Sequence, residues 1–172
     1  MQSAEQQITE PTIRNVGEQY LTFLLDREEY AVEILKVQEI KSWSTVTPVP
    51  CAPEYILGVI NLRGAIVPVI DLRSRFGLEH IDHTPSTAVI IVRATNSDQQ
   101  RIAGLVVDEV AEVYHLQESN IQDSVDIAGS IDGDYIRGLA QAEENLVILI
   151  NLDRIIMSSL ELADLAEIVT DD

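Results

Sequence analysis

The segment from Gly58 to Arg73, GVINLRGAIVPVIDLR, constrains the fold more than any other part of the chain. Two β-rich apolar runs flank a short charged turn, a pattern typical of a β-hairpin. Gly64 can supply the positive φ that a tight turn needs, which leaves Arg63 at the tip. Pro68 cannot donate to a sheet ladder, so we expect its strand at a sheet edge or a bulge. An edge strand with an arginine at its tip suits protein docking better than catalysis.

The hairpin pattern returns later in the chain. At an offset of 80 residues, Gly58 falls on Gly138 and the apolar strands coincide. At an offset of 73, residues 31–40 fall on residues 104–113. Both correspondences run in the same order, which favours one supersecondary unit used twice. The simpler alternative is that any two apolar strands look alike.

Composition limits the class of protein. The chain has 172 residues, 46% of them hydrophobic, and can therefore bury a real core. It has no apolar run of about 18 residues that would predict a spanning helix. The N-terminus lacks a signal-peptide pattern, and Cys51 is the single cysteine, so no disulfide framework is expected. These features favour the cytoplasm.

Charge bears on the choice of partner. The formal net charge of −18 argues against nucleic acid, because a phosphate backbone requires clustered basic residues. Residues 36–75 are an exception, with five basic and three acidic side chains. Solubility explains most of the carboxylates. The local basic stretch coincides with the hairpin, where it can steer an acidic partner to one face.

Turn signals predict the organisation of the chain. We expect a polar tail at 1–17 and a single domain at 18–168. Its two β modules are expected at about 18–80 and 87–155, superposable with Gly58 on Gly138.

Two helical elements are expected beside the strands. Residues 72–76 suit a single helical turn that ends near Gly77. Ser158 and Glu161 fit a capping box, and the apolar spacing after them predicts a C-terminal helix at about 159–168. A polar loop is expected at 117–134.

The sequence lacks signatures of chemistry. It has no phosphate-binding loop, dinucleotide fingerprint or nucleophile elbow. Residues 79–83, EHIDH, have the spacing of a metal-binding pair but no third strong ligand. The aspartates between 123 and 134 fail the spacing of an EF-hand, and Cys51 has no nearby histidine. We therefore predict no catalytic residue, no metal site and no cofactor.

Taken together, five segments resemble the CheW family of bacterial chemotaxis coupling proteins. They are Asp26–Tyr30, Ile34–Ile40, Gly58–Arg73 with its NLRG core, Ala103–Asp108 and Asn145–Leu152. The resemblance covers about residues 18–168. It implies a mainly all-β fold, with two SH3-like five-stranded β-barrels, a groove between them and a short C-terminal helix. It also implies a non-catalytic adaptor that couples the cytoplasmic hairpins of methyl-accepting chemoreceptors to the regulatory domain of the histidine kinase CheA.

The resemblance further implies two docking surfaces. The residues that match the receptor-binding positions are Val37, Glu39 and Arg63, with Val110 and Val113 as approximate counterparts in the second barrel. The residues that match the kinase-binding positions are Gly58, Gly64 and Ile66. We expect Glu39 to orient Arg63 through a two-point carboxylate contact, with Val37 supplying apolar contact beside the pair.

The implied location is the cytoplasm, at receptor arrays on the inner membrane, without membrane insertion and without nucleic acid. The alternative from another class is a small-molecule-binding or enzymatic β-barrel. A deep pocket with a strongly shifted titratable group would support that alternative.

Overall fold

The computed structural model describes residues 18–123 and 133–170, with side chains to residue 161. The strands of this part of the chain are β1 (Glu18–Leu25), β2 (Glu28–Glu33), β3 (Val37–Ser42), β4 (Ile56–Leu62), β5 (Ala65–Asp71), β6 (Ala88–Thr95), β7 (Gln100–Val107), β8 (Glu109–Leu116), β9 (Ile121–Asp123), β10 (Ile136–Ala142) and β11 (Asn145–Ile150). Helix α1 spans Leu72–Arg75, as predicted, and helix α2 spans Leu152–Thr170. The predicted tail at 1–17 and the middle of the predicted loop, 124–132, lie outside the described residues.

The strands form two sheets that exchange hairpins between the halves of the chain. One sheet has the order β8-β1-β2-β11-β10-β9, and the other has the order β3-β6-β7-β5-β4. Four pairings among the described strands join the two halves: the parallel pairs β2–β11 and β5–β7, and the antiparallel pairs β1–β8 and β3–β6. The sheets therefore do not follow the predicted modules at 18–80 and 87–155. The first sheet also has six strands rather than five, because the three-residue β9 extends its edge.

The strand registers agree with the predicted duplication. In the hairpins β4–β5 and β10–β11, Gly58 and Gly138 each follow a register shift and begin the same series of pairs. In the parallel pairings, Gly104 pairs with Val69 and Ala31 pairs with Leu149. Leu149 is the residue that the offset of 80 relates to Val69. Residues related by the two offsets therefore occupy equivalent positions in the two sheets.

Three apolar clusters of the described residues hold the fold together. The largest joins both sheets and both helices, and we call it the central cluster; it includes Phe23, Ile70, Ile90, Leu105 and Ile155. Each sheet packs a smaller cluster on its other face, one with Val67, Val69 and Ile91 and the other with Tyr20, Ala31 and Leu149. Because successive strand residues point to opposite faces, Ile90 and Ile91 serve different clusters. Side chains thus fill the interior of each barrel.

Arg73 of α1 ties the two sheets together where the chain crosses between them at Asp108. Its Nε and Nη2 lie 2.8 Å from the two carboxylate oxygens of Asp108, and its Nη2 lies 3.5 Å from Oδ1 of Asp26 in the β1–β2 turn. The Arg73 side chain is only 9% exposed. Burial alone would raise the pKa of Asp108, but hydrogen bonds from Arg73 and from the Asp26 N–H outweigh it, so the pKa is lowered. Asp26, Arg73 and Asp108 therefore have a structural role in this protein.

Helix α2 begins earlier than the capping box predicted. Asn151 Oδ1 accepts a hydrogen bond from Arg154 N at 3.2 Å, and the helix starts at Leu152. Ser158 lies inside the helix, where its hydroxyl donates to the Ile155 carbonyl at 3.3 Å. The predicted start at Ser158 was wrong because this serine bonds backward within the helix, as mid-helix serines commonly do.

Arg75 fastens α2 to the sheets. Its guanidinium lies 4.7 Å from the ring centre of Tyr55 and 4.8 Å from that of Tyr135, two tyrosines related by the offset of 80. It also donates to the hydroxyls of Tyr135, Ser158 and Ser159. Cation–π contact and hydrogen bonding together hold this arginine between equivalent residues of the two halves.

The strand that contains Pro68 does not lie at a sheet edge, where it was predicted. β5 lies between β7 and β4, and β4 forms the sheet edge. Pairing of β5 with β7 begins only at Val69, so the missing N–H of Pro68 leaves no gap in that ladder.

Candidate protein-docking site

The Arg63–Glu39 pair stands at the tip of the β4–β5 hairpin. Arg63 and Gly64 form a two-residue turn with φ values of 52° and 91°, and Asn61 Oδ1 accepts from Gly64 N at 2.8 Å. Arg63 Nη2 donates to Glu39 Oε2 at 2.9 Å, a one-point contact rather than the two-point contact predicted. The Arg63 side chain is 76% exposed and that of Glu39 is 27% exposed. The rigid turn therefore presents this charge to solvent with little backbone freedom.

Val37 lies on the other face of β3 from Glu39. Val37 pairs with Val92, Glu39 pairs with Ile91, and a register shift separates the two pairs. Because paired residues share a face and Val92 neighbours Ile91, the shift turns Val37 and Glu39 to opposite sides. Val37 is half-buried against the central cluster. The predicted position of Val37 beside the charged pair is therefore wrong.

Val110 and Val113 lie on β8, the edge strand of the other sheet. They pair with Phe23 and Leu21, both members of the central cluster, on either side of a register shift. Val110 packs against that cluster, and Val113 is 43% exposed. Thr22 sits at the shift, where its hydroxyl donates to the Glu112 carbonyl at 3.0 Å. The edge strands of both sheets thus carry apolar residues at the rim of the central cluster.

Sequence reasoning missed two exposed apolar residues near this rim. Ile40 is 46% exposed and pairs with Ile90 of the central cluster. The offset of 73 relates Ile40 to Val113, which was the signal that could have found it. Leu35 is 84% exposed in the short 3₁₀ turn that leads from β2 into β3. Together with Val37, these residues extend the apolar rim along β3.

The β4–β5 hairpin carries the remaining predicted residues. Ile66 is 65% exposed on the face opposite Val67, which belongs to the sheet's own small cluster. Gly64 is exposed in the turn. Gly58 is buried, and a Cβ added to it would lie 2.2 Å from the Thr47 carbonyl oxygen. Gly58 therefore shapes the hairpin and does not present a contact surface.

Features expected of a chemical centre are weak in the described residues. Within 18–123 and 133–161, no group of three or more His, Cys, Asp or Glu side chains is arranged to hold a metal ion. A cavity of about 520 Å³ beside the start of α2 is open to solvent and lined mainly by polar side chains such as Asp153 and Arg154. Among the helices described, none has the length and apolar character needed to cross a membrane.

Known proteins resemble this chain in both sequence and fold. Residues 19–159 match the CheW-like domain family. The chain belongs to the CheW family. It is 38% identical to the chemotaxis protein CheW of Klebsiella aerogenes, over 83% of this chain and 84% of that one. It is 34% identical to CheW of Rhizobium meliloti strain 1021, over 85% and 92% of the two chains. The crystal structure of the scaffolding protein TtCheW from Thermoanaerobacter tengcongensis superposes with a TM-score of 0.73 at 34% identity, over 81% of this chain and 92% of that one.

Membership of the CheW family gives the general role of this chain. The family consists of non-catalytic scaffold and adaptor proteins, and this chain is a chemotaxis adaptor with the SH3-like fold of that family. The alternative of an enzymatic barrel is thereby set aside. The filled barrel interiors agree with a protein that works through its outer surfaces.

Proposed function

We propose that this chain links chemoreceptor cytoplasmic hairpins to the histidine kinase CheA through two separate surfaces. The observation that carries the proposal is the placement of exposed apolar residues on two parts of one sheet. One set follows the edge strand β3, and the other lies on the hairpin β4–β5 at the opposite edge. The Arg63–Glu39 contact joins these two edges.

The receptor surface is proposed to be the rim of the central cluster together with the charged pair. Its members are Val37, Ile40, Val110 and Val113 as apolar contacts and Glu39 and Arg63 as the polar border. A helical hairpin presents apolar side chains along one stripe and charged ones beside it, which suits an apolar groove with a charged margin. The apolar contacts contribute affinity, and the pair contributes orientation.

The kinase surface is proposed to be the outer face of the β4–β5 hairpin. Ile66 is its exposed apolar anchor, Gly64 allows close approach at the turn, and Gly58 keeps the strand in shape. An isoleucine 65% exposed beside a rigid turn has the properties of an interface residue, because its burial by a partner costs little conformational freedom. The regulatory domain of CheA is the partner proposed for this face. The proposed location is the cytoplasmic side of the inner membrane, within receptor arrays.

Arg63→Ala and Glu39→Ala are each expected to weaken binding of a receptor cytoplasmic hairpin by about 1–3 kcal/mol, the cost of losing an interface hot spot. Both variants should keep their thermal stability, because exposed ion pairs contribute little to folding. Isothermal titration calorimetry with the parent, both variants and the double variant gives the coupling between the two charges. Arg154→Ala, which removes another exposed arginine, is the matched control. Receptor affinities equal to that of the parent would place the site elsewhere.

Ile66→Glu is expected to weaken binding of the CheA regulatory domain by at least about tenfold, because a carboxylate would be desolvated in an apolar contact. Receptor binding should persist. Ile81→Glu changes a residue that is 41% exposed outside both surfaces and serves as control. Surface plasmon resonance with immobilised regulatory domain measures the kinase affinity of both variants. If Ile66→Glu and Ile81→Glu bind the kinase equally, the β4–β5 face is not the kinase surface.

A further inference from the structure

The segment that connects α1 to β6, residues 78–86, forms a strap fastened at both ends. At its start, Arg73 Nη1 donates to the Glu79 carbonyl at 2.7 Å. At its end, Thr84 N donates to Thr87 Oγ1 at 2.9 Å, and the Thr87 carbonyl accepts from Trp43 N at 3.0 Å. Trp43 directly follows β3, so the strap is attached to the strand that carries Glu39.

Between these two attachments, His83 rests on the ring of Trp43. The two ring centres are 3.9 Å apart and the planes are tilted by 34°. His83 is exposed and Trp43 is half-buried. His80 lies edge-on to His83, with 6.4 Å between ring centres. The imidazole of His83 is therefore in contact with an aromatic face and in reach of solvent protons.

We propose that the strap is a pH-responsive latch in which protonated His83 holds residues 80–83 against Trp43 and tightens the end of β3. Imidazole is the side chain that gains charge between about pH 8 and pH 5. A cation over the face of an indole ring is attracted by the ring's electrons, whereas a neutral imidazole has only stacking contact. Acidification therefore strengthens the contact.

Charged side chains of both signs lie on and around the strap. The carboxylates are those of Asp71 at the start of α1, Glu54 in the loop before β4, and Glu79 and Asp82 on the strap itself. The cations are Lys41, two residues before Trp43, and Arg73, which donates to the Glu79 carbonyl. Glu54, Asp71 and His80 line one cavity of about 410 Å³. Burial raises the pKa of Asp71, while its backbone hydrogen bonds and the two nearby imidazoles act in the opposite direction.

Tryptophan fluorescence tests the contact directly, because Trp43 is the single tryptophan of the chain. A protonated imidazole in contact with an indole quenches its emission. The parent protein is expected to lose emission in one transition between pH 8 and pH 5, and His83→Gln is expected to show none. His80→Gln, on the same strap but not on Trp43, should keep the transition. A transition that survives in His83→Gln, or is absent from the parent, would overturn the proposal.

Hydrogen exchange tests whether the contact acts as a latch. After correction for the intrinsic pH dependence, the Trp43 amide should open about two- to fivefold less often at pH 5.5 than at pH 7.5, the ratio that an exposed cation–π contact supplies. His83→Gln should remove this difference. Quenching of Trp43 fluorescence without any change in exchange of the Trp43 amide would show that His83 contacts Trp43 but does not tighten the end of β3. That result would also overturn the proposal. Neither readout needs a receptor or a kinase, so failure here leaves the proposed function untouched.

Discussion

Arg73→Met is expected to lower the free energy of unfolding by about 3 kcal/mol. The substitution keeps the length of the side chain but removes the two-point contact with Asp108, whose side chain is only 22% exposed. Breaking a buried ion pair leaves an uncompensated charge, which is the costly case. Urea denaturation followed by far-ultraviolet circular dichroism measures the change. Arg154→Ala removes an ion pair of 3.6 Å between exposed partners and should cost less than about 1 kcal/mol.

Arg73→Met is also expected to change how the stability of the protein depends on pH. The pKa of Asp108 is lowered in the folded protein, so its stabilisation is present above the unfolded value of about 3.9 and is lost as the pH falls through the folded value. Arg73→Met should therefore show a smaller loss of stability in acid than the parent. Equal urea midpoints for the parent and Arg73→Met at pH 7 would contradict the role assigned to this arginine.

Gly58→Ala is expected to destabilise the protein by about 3 kcal/mol, because the new methyl group would meet the Thr47 carbonyl at 2.2 Å. Thr47 cannot retreat cheaply, since its N–H and carbonyl both bond to Val59, at 2.9 and 2.8 Å. Differential scanning calorimetry measures the loss. Gly138→Ala should behave alike, because its methyl group would lie 2.5 Å from the Gln122 carbonyl oxygen.

Gly77→Ala is the matched control for backbone strain. Gly77 has a φ of +74°, but a Cβ there meets nothing within 4 Å, so only about 1 kcal/mol is expected. A Gly58→Ala variant no less stable than Gly77→Ala would show that the loop containing Thr47 yields easily. The close approach at Gly58 would then not be what preserves the hairpin.

The local parts of the fold were predictable because they depend on neighbours in sequence. The Arg63–Gly64 turn follows from turn chemistry, and the equivalence of Gly58 with Gly138 follows from repeated spacing. The contact of Arg63 with Glu39 was predicted as a pair, although its one-point geometry was not.

The exchange of hairpins between sheets was not predictable in the same way. It depends on pairings between the two halves, which join segments far apart in the chain: β2 with β11, β5 with β7, β1 with β8 and β3 with β6. Apolar alternation shows that a strand has a buried face but does not name its neighbour. The repeat was therefore visible, while the division at 18–80 and 87–155 assumed that each half pairs only with itself.

Single-residue irregularities explain the remaining differences. The shift between Val37 and Glu39 reverses which face each side chain takes, and no local sequence signal marks it. For α2, Asn151 and Ser158 are both acceptable N-cap residues, and only the contacts of the helix decide between them. The edge position of Ile40 depends likewise on which strand pairs with β3.

Co-sedimentation with receptor-bearing membrane vesicles tests the proposed bridging role most directly. The histidine kinase CheA is incubated with vesicles that carry a chemoreceptor, with or without this chain, and the kinase in the pellet is measured. We predict that the kinase pellets with the parent chain, that Arg63→Ala shifts both proteins toward the supernatant, and that Ile66→Glu pellets with less kinase than the parent. Equal amounts of kinase in the pellet with and without the chain would contradict the bridging role.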